Sequence, residues 1–162
     1  MAVVIADAGP LIALTKLNQL NLLSSLFGTV LVTQAVIDEC FKGPKSEVNL
    51  IEQAIQLNTL QCIPSPELTD PLSRSLGDGE KSCITYALQT NDKVLLIMDD
   101  ALARKQALRF NLTVVGTAAL LFTAQHKGFI IDAEILINQL RDLGYRISDH
   151  VINLLKSKYK SK

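Results

Sequence analysis

Residues 2–14 read AVVIADAGPLIAL, and residues 94–104 read VLLIMDDALAR. Each opens on a short uninterrupted apolar run, meets aspartate, and continues as a segment of helical pattern. A strand with one wet face alternates apolar and polar residues, whereas one covered by helices on both faces does not. Ala2–Ala6 and Val94–Met98 therefore predict the central, most buried strands of a parallel sheet. Pro10 suits the first turn of a helix, with Leu11, Leu14, Leu17 and Leu22 as its apolar stripe.

The same alternation of strand and helix extends outward from these two segments. Further strands are expected at Thr29–Val32, Leu60–Ile63 and Thr113–Val115. Thr33 is placed to cap a helix through Phe41, which Gly43-Pro44 stops. Other helices are expected from Ser46, over Asp78–Gln89 and Ala101–Phe110, and from Gly116-Thr117 to Lys127. Two more cover Asp132–Leu143 and Ser148–Tyr159. Pro64–Arg74, with three prolines, reads as the least ordered stretch. The pattern is that of an α/β protein with three α/β/α layers and a parallel sheet of four or five strands. It predicts one domain over residues 1–162 with a frayed basic tail at 156–162. In such sheets ligands gather beyond the carboxyl ends of the strands.

Composition narrows the function classes. The chain has 162 residues, 48% hydrophobic and 20% charged, values of an ordered globular protein. No apolar run approaches the roughly 18–20 residues that span a bilayer, so no membrane association is expected. The opening residues carry Asp7 and no basic leader, which argues against a signal peptide and for a cytoplasmic protein. Cys40, Cys62 and Cys83 lack metal or disulfide spacing and read as small buried side chains. Lys plus Arg and Asp plus Glu number 16 each, so the molecule as a whole has no basic field for nucleic acid. Asp7 is followed by Ala8-Gly9-Pro10 rather than DxDxT, which excludes an aspartyl phosphotransferase of that type. The paired acids and lysine of a phosphoacceptor domain are missing. GDGEKS places Glu80 where a phosphate-binding loop needs glycine.

The acidic residues carry the signal. Asp7 follows the first buried strand and Asp99-Asp100 the second. Taken singly, Asp7 is a turn residue, Asp99 a helix cap, and Asp100 a partner for Arg104 one helical turn on. Glu80 occupies the apolar stripe of Ile84, Ala87 and Leu88, where a carboxylate needs a partner or a purpose; its plain reading is favourable charge at a helix N-terminus. Glu39 lies beside the stripe of Val32, Val36 and Cys40, while Asp38 points to solvent. Together these carboxylates would repel one another and raise at least one pKa unless a hard divalent cation neutralised them. Mg²⁺ or Mn²⁺ suits such oxygen ligands and a phosphate. His126 and His150 have no strand-end setting and read as incidental.

At these positions the chain resembles the PIN domain, the compact fold of many metal-dependent ribonucleases. The likeness covers nearly the whole chain through DAGPLIAL at 7–14, VIDEC at 36–40, LGDGEKSCITYAL at 76–88, LLIMDDALAR at 95–104, VVGTAALL at 114–121 and GYRISD at 144–149. It is similar to short prokaryotic PIN-like proteins akin to the toxins of toxin–antitoxin pairs. The resemblance implies Asp7, Glu39, Glu80 and Asp100 as catalytic acids, and Asp7, Glu80, Asp99 and Asp100 as metal ligands for Mg²⁺ or Mn²⁺. Family members commonly carry Thr-x-Asp after this strand; here the Thr position is Met98, which leaves the choice between Asp99 and Asp100 open. In GYRISD, Ser148 is expected to cap the last helix and Asp149 to add charge to its first turn. The implied function is a divalent-metal-dependent endoribonuclease acting on RNA, in the manner of a toxin with a cognate antitoxin partner; separately, the many apolar residues on short helices permit a homodimer. RNA contact would fall to Arg104, Lys105 and the Lys156–Lys162 tail. The rival is a PIN-like module that has lost catalysis and binds nucleic acid or protein.

Overall fold

The computed structural model describes residues 2–68 and 71–160. Strand β1 (Val3–Ala6) lies at the centre of a five-stranded sheet, flanked by β2 (Val30–Thr33) and β4 (Val94–Ile97), with β3 (Leu60–Ile63) and β5 (Thr113–Val115) outermost. All pairings are parallel. The helices are α1 (Ala8–Lys16), α2 (Leu22–Phe27), α3 (Gln34–Cys40), α4 (Lys45–Gln56), α5 (Asp78–Gln89), α6 (Ala101–Arg109), α7 (Thr117–His126), α8 (Ala133–Asp142) and α9 (Asp149–Lys160). This is the expected α/β architecture. Ile5, Ala6, Leu96 and Ile97 are fully buried, as continuous apolar strands between two helical layers should be.

Register positions the functional end. Ala6 pairs with Ile97, and the Asp7 N–H continues the ladder by donating to the Ile97 carbonyl at 2.9 Å. The carboxyl ends of the two central strands therefore carry Asp7 next to Met98, with Asp99 one residue further along.

Four expectations need correction. The first helix does not run to Leu22: α1 begins at Ala8 and stops at Lys16, and α2 is separate. Asn18 adopts φ 55°, and the Asn18 and Gln19 N–H groups donate back to Thr15 and Leu14. That double return closes the helix as glycine usually does, because asparagine tolerates the left-handed conformation. Asn58 and Asn111 end α4 and α6 in the same way. Second, Cys62 is exposed on the edge strand β3, whereas Cys40 and Cys83 are buried. Third, residues 156–160 of the expected frayed tail are the last turns of α9, and Lys156 pairs with Glu134 at 2.7 Å; Ser161 and Lys162 lie outside the described residues. Fourth, β2 is shifted one residue onward, so Thr33 both ends the strand and caps α3, accepting from the Val36 N–H. Within 64–74, no helix or strand occurs among the described residues.

Candidate metal centre and active site

Asp7 stands at the N-cap position of α1, yet its side chain makes no capping hydrogen bond. Its Oδ1 is buried with no partner, and the residue is only 5% exposed. Burial pushes its pKa from 3.8 to about 7; the Ala8 N–H opposes the shift, and the charges of Glu80, Glu39 and Asp99 reinforce it. An ordinary turn aspartate would have turned this oxygen to an N–H or to water.

Two acids approach Asp7 from neighbouring helices. A Cβ built on Gly79 would lie 3.1 Å from Glu39 Oε2 and 3.2 Å from Asp7 Oδ1. Both oxygens thus face the same small space, kept open because residue 79 has no side chain. Glu80, in the first turn of α5, is half-buried; desolvation raises its pKa, then Asp100 and Glu39, against a lowering hydrogen bond from the Gly77 N–H. The plain helix-terminus reading and the site reading of Glu80 therefore coexist: a glutamate three residues after the cap reaches back to it while sharing the acidic field. Asp38 is exposed and accepts from Gln34 Nε2 at 2.8 Å, away from the cluster.

Beyond β4 the paired aspartates have different partners. Both Asp99 oxygens are engaged by Thr117, the N–H at 2.7 Å and the hydroxyl at 2.5 Å. Asp100 caps α6, its Oδ2 accepting from the Ala103 N–H at 3.0 Å. Met98 is fully buried. The hydroxyl absent at Met98 is present from another element, since Thr117 of α7 holds Asp99. Sequence reading missed Thr117 and Gly79. The signals were there, Gly116-Thr117 directly after a strand and Gly79 beside a misplaced glutamate, but neither residue type announces a contact with a carboxylate.

A buried hydroxyl pair braces the same corner from beneath. Thr33 Oγ1 and Ser82 Oγ lie 2.7 Å apart, and Ser82 also donates to the Gly79 carbonyl at 2.6 Å. These bonds tie the end of β2 to the first turn of α5, and so fix Gly79 against Glu39. His126 packs obliquely on the Tyr159 ring, far from these acids in the fold, and GYRISD is structural in part: Ser148 accepts from the Val151 N–H and Arg141 pairs with Asp149.

A family model described as a PIN domain matches residues 3–161. The chain belongs to the PIN-domain family. No curated protein matches it at a significant level. PIN domains are nuclease-type modules that typically use divalent metals, and no helix among the described residues is long and apolar enough to cross a membrane.

The donors of this PIN domain are all carboxylate oxygens, as hard cations require, and Asp7 Oδ1 is an acceptor in want of a partner. Among the described residues, no group of three or more acidic, His or Cys side chains closes on one point. Mg²⁺ does not demand such a cage, because it retains several waters and takes one or two carboxylates plus substrate phosphate. Asp7 and Glu39 at Gly79, with Glu80 beside them, fit that role. Gly79→Ala tests the space directly. The variant is expected to fold, since Gly79 is helical with no left-handed backbone, but to lose most of the rise in Tm that Mn²⁺ confers on the parent. An unchanged Mn²⁺ shift would place the metal elsewhere.

Proposed function

We propose that this PIN domain, spanning residues 1–162 as one unit, is a divalent-metal-dependent endoribonuclease that hydrolyses RNA phosphodiesters in single-stranded or loop regions. The observation that carries the reading is the buried, unpartnered Asp7 Oδ1 in a cluster of acids at the carboxyl end of the central strands. A stability-driven sequence would not retain a half-neutralised carboxylate there without a ligand to complete it.

In this reading Asp7, Glu39, Glu80 and Asp100 form the catalytic set; Asp7 and Glu80 hold Mg²⁺ or Mn²⁺ with Glu39 facing the same space at Gly79, and Asp99 and Asp100 are the further candidate ligands. The bound cation supplies charge neutralisation at the phosphate and eases loss of a proton from the attacking water. Asp7 orients the reacting centre from a rigid strand end. Burial holds the Glu80 pKa above the ordinary glutamate value, so its carboxyl keeps a proton more readily and is suited to take up or return one at the reacting centre. Arg104 and Lys105 are exposed on α6, next to the Asp100 cap, where they can engage phosphates of the strand. Those contacts are few, so binding should be weak, and its loss with salt should scale with the small number of phosphates engaged. The toxin role and an antitoxin partner rest on the resemblance alone. A homodimer would draw on exposed apolar residues such as Ile131 and Leu154.

The test is incubation of total RNA with the protein and Mg²⁺ or Mn²⁺. Internal cleavage that EDTA abolishes is the expected result; undiminished cleavage in EDTA overturns the metal. The two aspartates should separate in the same assay. Asp100→Asn keeps a good helix cap and is expected to lose cleavage at little cost in stability. Asp99→Asn gives up the charge in its bonds to Thr117 and is expected to lose about 1–2 kcal/mol of stability with the smaller effect on cleavage. The reverse ranking would make Asp99 the fourth acid. A second reading, a PIN-like binding module without catalysis, draws on the capping engagements of Asp99 and Asp100. Failure to cut any RNA with either metal would favour it.

A further inference from the structure

The motif GYRISD is only partly absorbed by its structural role. Gly144 ends α8 with φ 99°, and the chain from Tyr145 to Ser148 then forms one wall of a cavity of about 620 Å³. Gly9, Asp99, Gly116 and Thr117 line it as well, and Asp99 is the acid it shares with the cluster at the strand ends. The floor is apolar, including Ala13, Ala118, Leu140 and Ile147. The wall is held in place: Arg141 Nε donates to the Ile147 carbonyl at 2.7 Å, and its guanidinium pairs with Asp149 at 2.9 Å. The space is therefore preformed, as binding sites usually are.

Two guanidiniums line this cavity, Arg104 from α6 and Arg146 from the loop. Among the described residues, neither forms an ion pair. Tyr145, half-buried, lines it as well. Gly116 keeps the junction with the acidic corner open, because a Cβ there would come within 2.9 Å of Asp99 Oδ1 and 3.3 Å of Arg104 Nη1. An apolar floor, one aromatic ring and two unpaired planar cations make a pocket for a flat, partly apolar group that carries negative charge. The volume is in the range that takes a small ligand. Asp99, a candidate ligand of the metal centre, lines it too, and that shared residue says which ligand.

We propose that this cavity is a nucleotide subsite of the same active site, receiving one nucleotide of the RNA strand next to the bond that is cut. The base lies against Tyr145 and the apolar floor, and its phosphate meets Arg104 and Arg146. The assignment rests on the ribonuclease reading, and it adds a place at which the enzyme can choose among bases. A guanidinium suits this task because it pairs with phosphate through two parallel hydrogen bonds.

The test is an NMR titration of the full chain in EDTA with each of the four 5′-nucleoside monophosphates, ribose 5-phosphate and inorganic phosphate. Nucleotides should shift the amides of Gly9, Gly116 and Tyr145–Ser148, and bind at least about fivefold more tightly than ribose 5-phosphate, the smallest effect expected of base–aromatic stacking. Arg146→Gln alters an exposed side chain, so it should fold normally, weaken nucleotide binding by about three- to tenfold, and raise KM for RNA with kcat little changed. Ribose 5-phosphate or inorganic phosphate binding as well as nucleotides would overturn the base pocket. Shifts confined to the outer face of α6, or an Arg146→Gln protein that binds like the parent, would overturn the location. The titration needs neither metal nor turnover. Nucleotide binding without any RNA cleavage would sink the ribonuclease reading and with it the place beside a cut bond, leaving only a nucleotide-binding cavity, whereas cleavage with no nucleotide in the cavity would sink the subsite alone.

Discussion

Asp7→Asn is expected to lower metal-dependent RNA cleavage by about a hundred- to a thousandfold while leaving RNA affinity unchanged or slightly improved. The side chain is held at the end of the central strand, flanked by β4 and buried, so its oxygen occupies one position rather than many. A fixed group that meets the reacting centre contributes mainly in the transition state, and removing one such electrostatic contact typically costs a hundred- to a thousandfold in rate. Asparagine keeps the shape but not the charge, and its amide presents N–H donors toward a place built for a cation. RNA affinity should move the other way, because one negative charge near the phosphate path is gone. The measurement is single-turnover cleavage of a labelled RNA with Mn²⁺, alongside anisotropy binding in EDTA. Cleavage by Asp7→Asn within tenfold of the parent would sink the mechanism. Loss of cleavage matched by equal loss of affinity would make Asp7 a binding residue.

The central strands were legible because their character depends on a strong local signal. VVIA and VLLI admit no wet face, and the structure buries them between helices as that pattern demands. Asp7 was legible for the complementary reason: a carboxylate at the end of such a strand is costly wherever it goes. What escaped was carried by contacts rather than by pattern. Leu17 and Leu22 continue the apolar stripe of the first helix in sequence, but Asn18 breaks it by adopting a left-handed φ. Asparagine does this less often than glycine, so the stop was not read. Asp99 and Asp100 could not be separated by adjacency alone, since the difference lies in Thr117, which arrives from the far side of β5. Cys62 looked like its buried siblings because nothing local announces that β3 is an edge. The cavity walled by Tyr145–Ser148 depends on α8, α9 and α7 meeting the acidic corner, a relation no short window contains.

In EDTA at pH 8, Asp7→Asn is expected to be more stable than the parent by about 1–3 kcal/mol, and at pH 4 no more stable. Folding raises the Asp7 pKa from 3.8 to about 7, so between those values the folded protein holds a proton that the unfolded chain has released. A raised pKa contributes its stability fully below the unfolded value and loses it as pH climbs through the folded one. Above pH 7 the parent therefore carries a buried charge worth on the order of 4 kcal/mol, at 1.36 kcal/mol per pKa unit. Asparagine escapes that cost but leaves a buried amide short of partners, an offset of about 1–3 kcal/mol. The surplus should appear as a Tm higher by roughly 2–12 °C at pH 8, given the slope usual for a chain of this size. Mn²⁺ should reverse the order: it binds only the folded state, and at a hundredfold excess over Kd adds about 2.7 kcal/mol to the parent, with much less for the variant. Melting curves at pH 4 and pH 8, with EDTA and with Mn²⁺, separate these contributions. An Asp7→Asn protein strongly destabilised in EDTA at pH 8 would show that Asp7 serves the turn into α1, since a carboxylate that supports the fold cannot also be the charge that strains it.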